Sequence, residues 1–422
     1  MILSQNRFPD LRFMHQREPG RKSLAARRAP LPNAFNFALG LAQAIMPPSV
    51  SVRDYGSLMT ELPRRDVANS RFVGGAHAVG GHRTFIDRLW SFDSREKNAM
   101  WHLTRRTLLA GAAVMAGNAA LAQSAPPARV KGPLVWLDLD QKELDDAYDQ
   151  SVYAPNLRQI TGRYVTNSEA VRARIGAPKR LAYGSTPIEG LDLYAAKTTN
   201  APVQVFIHGG AWRAGLAKDY ATPAEMFVDA GAHFVVVDFN NVIETNGDLM
   251  PMARQVRSAV AWVCKNAASF GGDPNRVYVS GHSSGGHLAG VVLATDWSKD
   301  FGLPRDAVKG VVCCSGMFDL KPVRLSKRGE YVKFTDEMEQ ALSAQRHLDN
   351  INCPVTLVYG TLETPEFQRQ SRDFAAALQA AGKPVRVVVA PGYNHFEVNE
   401  TLASPYGFFG RAVLEQMKLK PA

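Results

Sequence analysis

At 422 residues with 45% hydrophobic content, the chain has apolar material for one large core or two smaller ones, and no class other than globular is suggested. The net charge of +10 raises nucleic acid or an anionic membrane as a partner, but the excess is local. Residues 1–99 carry 15 Lys+Arg against 8 Asp+Glu and residues 100–122 add two arginines, leaving 32 basic against 31 acidic residues from Gln123 onward, so no nucleic-acid partner is expected.

Residues 1–99 lack sustained apolar periodicity and are broken by Pro30, Pro32, Pro47, Pro48 and the glycines 74, 75, 80 and 81. They read either as a disordered basic arm or as a stretch upstream of a true start at Met100. After Met100 come Thr104-Arg105-Arg106-Thr107, a Gly/Ala-rich apolar run, and Ala120-Leu121-Ala122 before Gln123. A basic start, a short apolar stretch and small residues at a cleavage site make an export signal of the twin-arginine type. Thr107–Ala122 is short for a bilayer span, so no membrane span is expected in the mature part, 123–422. That part is expected in the periplasm or outside the cell if translation starts at Met100, and in the cytoplasm otherwise.

From about Arg180, short β-branched runs alternate with longer amphipathic stretches, the pattern of a mostly parallel sheet covered by helices. Strands are expected at Pro202–Ile207, His233–Phe239, Arg276–Ser280, Val308–Cys314, Pro354–Tyr359 and Val385–Ala390. Helices are expected at Met250–Ala268, Gly285–Ala294, Glu366–Ala381 and Pro405–Lys418, with a hairpin over Leu181–Tyr194 and a helical cap over residues 134–176. Cys264, Cys313, Cys314 and Cys353 read as free buried thiols, since two adjoin within an apolar run and none has metal-site spacing.

Gly281-His282-Ser283-Ser284-Gly285 follows one strand run directly and precedes a helical one. This is the setting of a nucleophile elbow, in which a sharp turn lifts the serine and crowds strand against helix, so the positions two before and two after must be small. That register selects Ser283 over Ser284. Upstream, His208-Gly209-Gly210-Ala211-Trp212 follows the strand run ending at Ile207. The Gly209 and Gly210 N–H groups, joined by that of Ser284, form a candidate oxyanion hole for acyl transfer. Trp212 is a candidate aromatic wall for a leaving group, with a merely structural role as the alternative.

In the order serine, acid, histidine that accompanies this elbow, only His347 and His395 lie well beyond the nucleophile. His347 precedes the expected acid loop and His395 sits in the loop Pro391-Gly392-Tyr393-Asn394 after the last strand, so His395 is the candidate base. His208 reads as a structural hydrogen-bonding residue and His287 as a packing residue. Glu363, in the loop after the penultimate strand, is the favoured acid, with Glu366 and Asp319 as alternatives.

Together HGGAW, GHSSGGHLAG, ETPEFQRQS and NHF resemble the arylformamidase (kynurenine formamidase) and hormone-sensitive-lipase-like esterase branch of the α/β hydrolases, over about Pro202 to Leu402. The resemblance implies an α/β-hydrolase fold, a mostly parallel central sheet with helices on both faces, and two-step acyl transfer without metal or organic cofactor. Those formamidases carry Asp, a small residue and Pro-Glu-Phe in the acid segment, and Glu363-Thr364-Pro365-Glu366-Phe367 sets Glu at the first of these positions. The expected reaction is hydrolysis of short-chain carboxylic esters, with aryl formamide or aryl amide hydrolysis as the alternative, on a small-molecule substrate. A non-catalytic binding module of the same fold ordinarily lacks the serine or the histidine, and both are present here in order.

Overall fold

The computed structural model describes residues 129–421, so the basic arm expected at 1–99 and the export segment expected at 100–122 lie outside the described residues. The strands are β1 (Leu134–Trp136), β2 (Leu139–Asp140), β3 (Lys179–Ala182), β4 (Gly190–Tyr194), β5 (Ala201–Ile207), β6 (His233–Val237), β7 (Gly272–His282), β8 (Val308–Cys314), β9 (Val355–Gly360) and β10 (Val385–Ala390). The α-helices are α1 (Gln141–Ala147), α2 (Leu157–Ile175), α3 (Ala224–Asp229), α4 (Met250–Asn266), α5 (Ser284–Leu293), α6 (Trp297–Phe301), α7 (Lys321–Leu325), α8 (Asp336–Leu342), α9 (Pro365–Ala380), α10 (His395–Glu400) and α11 (Phe408–Met417).

Strands β3–β10 form one eight-stranded sheet in the order β10-β9-β8-β7-β5-β6-β4-β3. Pairing is antiparallel for β3/β4 and β4/β6 and parallel throughout the rest. Each central strand is apolar on both faces, and period-2 alternation sorts its side chains into two cores. Val203, Val205, Ile207, Val235, Val237, Val311 and Cys313 pack with α4, α5 and α9. Phe206, Phe234, Val236, Val312 and Cys314 pack on the opposite face with α3 and α11. Helices on both faces of a mostly parallel sheet are thus the observed architecture.

The structure differs from the sequence expectation in three places. Residues 134–140 are a short antiparallel hairpin, β1–β2, rather than helix, because the extended Leu134–Trp136 run turns at Leu137 with φ 50°. Strand β7 begins at Gly272, earlier than Arg276, because Gly272 pairs with Ala201 across a register shift. The hairpin expected over Leu181–Tyr194 is present as the antiparallel pair β3–β4, with a turn in which Glu189 accepts from the Ser185 and Thr186 N–H groups. His395 opens a helix instead of lying in a loop. All four cysteines are free and buried.

Candidate active site

Ser283 stands between β7 and α5 with φ 59° and ψ −125°, a strained conformation for a residue bearing a Cβ. Its N–H donates to the Cys314 carbonyl at 2.9 Å and its carbonyl accepts from His287 N–H at 3.0 Å, so the elbow is pinned on both sides. The size limit on its flanks is steep. A Cβ on Gly281 would stand 2.1 Å from the Gly285 carbonyl oxygen, and one on Gly285 would stand 2.1 Å from that of Ile207. Ser284 is committed elsewhere, its Oγ accepting the Trp212 N–H at 3.1 Å.

The imidazole of His395 reaches the Ser283 Oγ through Nε2 at 2.8 Å and Glu363 Oε2 through Nδ1 at 2.7 Å. Because a carboxylate only accepts, Nδ1 carries the proton and Nε2 is left to accept from the serine hydroxyl. Both His395 and Glu363 are 2% exposed. The second carboxylate oxygen, Oε1, accepts from Ser315 Oγ at 2.6 Å and from Gly360 N–H at 2.7 Å. His395 is placed by a capping box: Asn394 Oδ1 accepts from the N–H groups of Phe396 and Glu397, and Glu397 Oε2 accepts that of Asn394. His282 donates through Nε2 to the His395 carbonyl at 2.7 Å, and burial, then the neighbouring His395, holds its pKa well below the ordinary histidine value.

The other acidic candidates are engaged elsewhere. Glu366 pairs with Arg369 at 2.6 Å and accepts from the Tyr148 hydroxyl at 2.9 Å, and Asp319 faces Arg346 at 3.2 Å. His347 meets the Gln340 carbonyl near the surface. The ring of His208 is stacked between Phe239 at 4.5 Å and Tyr220 at 5.1 Å and donates from Nδ1 to the Gly209 carbonyl, which sets the following turn.

In that turn Gly210 has φ 121°, a backbone conformation open chiefly to glycine, and a Cβ there would stand 2.0 Å from the Ala214 carbonyl oxygen. Gly209 lies against the nucleophile, where a Cβ would be 3.0 Å from that of Ser283. Among the described residues the N–H groups of Gly209, Gly210 and Ser284 donate to no protein acceptor. That of Ala211, which also lines the cavity and which the sequence did not single out, is equally unengaged.

Trp212 requires a correction. Its side chain is 2% exposed and does not line the cavity, because its indole turns into the core to donate to His287 Nδ1 at 3.2 Å. The walls of the cavity, about 720 Å³ in volume, come instead from Tyr148–Ser151, from Leu157, Thr161, Tyr164 and Val165 of α2, and from Lys327, Arg328, Glu330 and Tyr331. The expected cap over residues 134–176 therefore supplies part of the wall. No motif announced Ser315, Tyr148 or Arg328, which reach the site from separate loops. Among the described residues no His/Cys/Asp/Glu cluster has metal-site geometry and no helix is long and apolar enough to cross a membrane.

A family model described as BD-FAE matches residues 191–378. The kynurenine formamidase of Danio rerio is 29% identical over 280 residues, 63% of this chain and 93% of that protein. An isoprenylcysteine alpha-carbonyl methylesterase of Arabidopsis thaliana is 25% identical over 267 residues, 58% of this chain and 60% of that one. Among solved structures, a putative thioesterase from Silicibacter superposes with a TM-score of 0.55 at 24% identity, covering 63% of this chain and 96% of that one. An esterase of Thermogutta terrifontis, solved with propionate bound, gives 0.50 at 21% identity, covering 59% and 97%. The chain is accordingly a hydrolase of the α/β-hydrolase fold that resembles the arylformamidases and their esterase relatives.

Proposed function

We propose that the protein hydrolyses carboxylic esters of short acyl chains through a Ser283-His395-Glu363 triad and an acyl-enzyme intermediate. The observation that carries this reading is the pair of hydrogen bonds, 2.8 and 2.7 Å, linking Ser283 Oγ to His395 and His395 to Glu363 at an elbow that faces a cavity. Ser283 Oγ attacks the carbonyl carbon while His395 Nε2 takes its proton. Glu363 holds the ring in the required tautomer and balances the imidazolium. The negative charge formed on the carbonyl oxygen falls to the free N–H groups of Gly209, Gly210 and Ser284, which are fixed in place before reaction. His395 returns the proton to the departing alcohol, and water, activated by the same imidazole, releases the acid.

Aryl formamide or aryl amide hydrolysis is the second reading, favoured by the likeness to kynurenine formamidases. An ester is the easier substrate, since an amine needs fuller protonation by His395 before it leaves. The test compares kcat/KM on short-chain p-nitrophenyl esters with that on aryl formamides and anilides. A preference of tenfold or more for the amides, about 1.4 kcal/mol, selects the second reading. Ser283→Ala is expected to lower turnover of either class by about 10⁶ and to abolish fluorophosphonate labelling, while Ser284→Ala keeps its backbone donor and is far milder. Activity that survives the first change and is lost with the second refutes the triad.

A further inference from the structure

The loop segment Lys327–Tyr331 brings a guanidinium into the cavity without a counter-charge. Arg328 is 6% exposed, yet among the described residues no carboxylate stands at ion-pair distance from it. Its neighbours differ: Lys327 is paired with Asp149, Arg324 and Arg346 with Glu339, and Arg369 with Glu366. Arg328 instead donates from Nε and Nη2 to the Tyr148 carbonyl at 3.3 and 3.1 Å, and from Nη1 to the Tyr331 hydroxyl at 3.3 Å. Of the five N–H bonds of a guanidinium, this leaves two on the Nη atoms unused.

The surroundings give this remainder a direction. The ring of Phe367 lies 5.8 Å from the guanidinium carbon and meets the His395 imidazole edge-on at 4.9 Å, so the cation and the candidate base lie against the same aromatic ring. Trp212 lies 5.4 Å away on another side. Such rings soften the loss of hydration but do not neutralise the charge. The remaining acids of the cavity wall form no ion pair with it: Asp149 is held by Lys327, Asp219 is partly exposed and Glu330 is exposed.

We propose that Arg328 receives a carboxylate of the substrate, so that the substrate class is an ester or amide of a carboxylate-bearing molecule, with the carboxylate about one aromatic ring from the scissile carbonyl. An unused N–H on each terminal nitrogen can meet the oxygens of a carboxylate, and a neutral substrate would leave the cation buried and unmatched. For its chemistry the proposal rests on the serine-hydrolase reading. For binding it does not.

The experiment uses 3-acetoxybenzoate and 3-acetoxybenzamide, which carry the same ester and differ in charge. The wild-type protein is expected to favour the carboxylate by about tenfold or more in kcat/KM, since a site built to pair a group discriminates against its absence. Arg328→Gln brings that ratio to about one, and Arg328→Lys, with charge but no fork, falls between. Calorimetry with the inert Ser283→Ala protein is expected to give the same preference in Kd. A wild-type ratio near one in turnover or binding overturns the proposal, as does an unchanged ratio in folded Arg328→Gln. If neither ester is cleaved but the carboxylate still binds preferentially, the hydrolase reading fails and the anion site stands. Should Arg328→Gln not fold, the wild-type turnover and binding ratios decide.

Discussion

Ser315 donates its hydroxyl to Glu363 Oε1 at 2.6 Å, on the far side of the carboxylate from His395. With Gly360 N–H it leaves the acid no freedom to turn away from the imidazole. Ser315 occupies its place at the end of β8 with φ 51°, a left-handed backbone for a residue with a side chain. Ser315→Ala is expected to lower kcat about tenfold with little change in KM, because a hydrogen bond to a charged group contributes about 1.5–3 kcal/mol and one donor remains. Steady-state kcat and KM for variant and wild type check this; an unchanged kcat would assign Ser315 to packing alone.

Glu363→Gln is expected to keep the fold and cost about 10³–10⁴ in turnover, since the amide can neither fix the tautomer nor balance the imidazolium. Glu366→Gln acts differently. It breaks the pair with Arg369 and weakens the hold on Tyr148, so its effect should show in melting temperature more than in kcat. The reverse ranking in turnover would transfer the acid role to Glu366.

His287 makes stability depend on pH. Burial lowers its pKa from the ordinary 6.5 to about 4 in the folded protein, where Nδ1 accepts from the Trp212 indole and Nε2 donates to the Leu342 carbonyl. The unfolded chain therefore binds the proton more readily. The stabilisation from the neutral ring is complete above about pH 6.5 and is lost as pH falls toward 4, on the order of 3 kcal/mol for the full shift. Urea denaturation at pH 7.5 and 4.5 should show a larger loss for wild type than for His287→Gln, and equal losses would refute the assignment.

We propose export for the segment ahead of the described residues. A reporter fused behind residues 100–125 is expected in the periplasm, and the double change Arg105→Lys, Arg106→Lys is expected to retain it in the cytoplasm, because a receptor reads the arginines. Terminal sequencing of the exported protein should begin at or near Gln123. A cytoplasmic product beginning at Met1 would end this proposal.

The central sheet was legible because both faces of each strand are apolar: runs such as Phe234-Val235-Val236-Val237 admit few other readings. The elbow was legible for a steric reason, since Gly281 and Gly285 fill gaps that no larger residue fits. The start of α10 is hard to see although Asn394 and Glu397 spell a capping box, because the Gly392-Tyr393-Asn394 turn reads as a loop that runs on through His395. For Trp212 the sequence leaves wall and structural roles open, because position beside two glycines says nothing about which way an indole turns. Ser315 and Arg328 reach the site across 48 residues, in the case of Ser315 and Glu363, and 180, in that of Arg328 and Tyr148. Such pairings arise only from tertiary structure and leave no local pattern.

Helix α2, which walls one side of the cavity, is bonded to α10, the helix that begins with His395. Asn156 donates to Glu397 and accepts from Asn394, Tyr164 donates to the Phe396 carbonyl, and Arg163 holds Glu400. Roof and base are thus mechanically coupled. Arg163, half in solvent and far along the chain from Ser283, is tied through a single helix to the candidate base, so remoteness on the surface is expected to be a poor guide to which mutations this hydrolase tolerates.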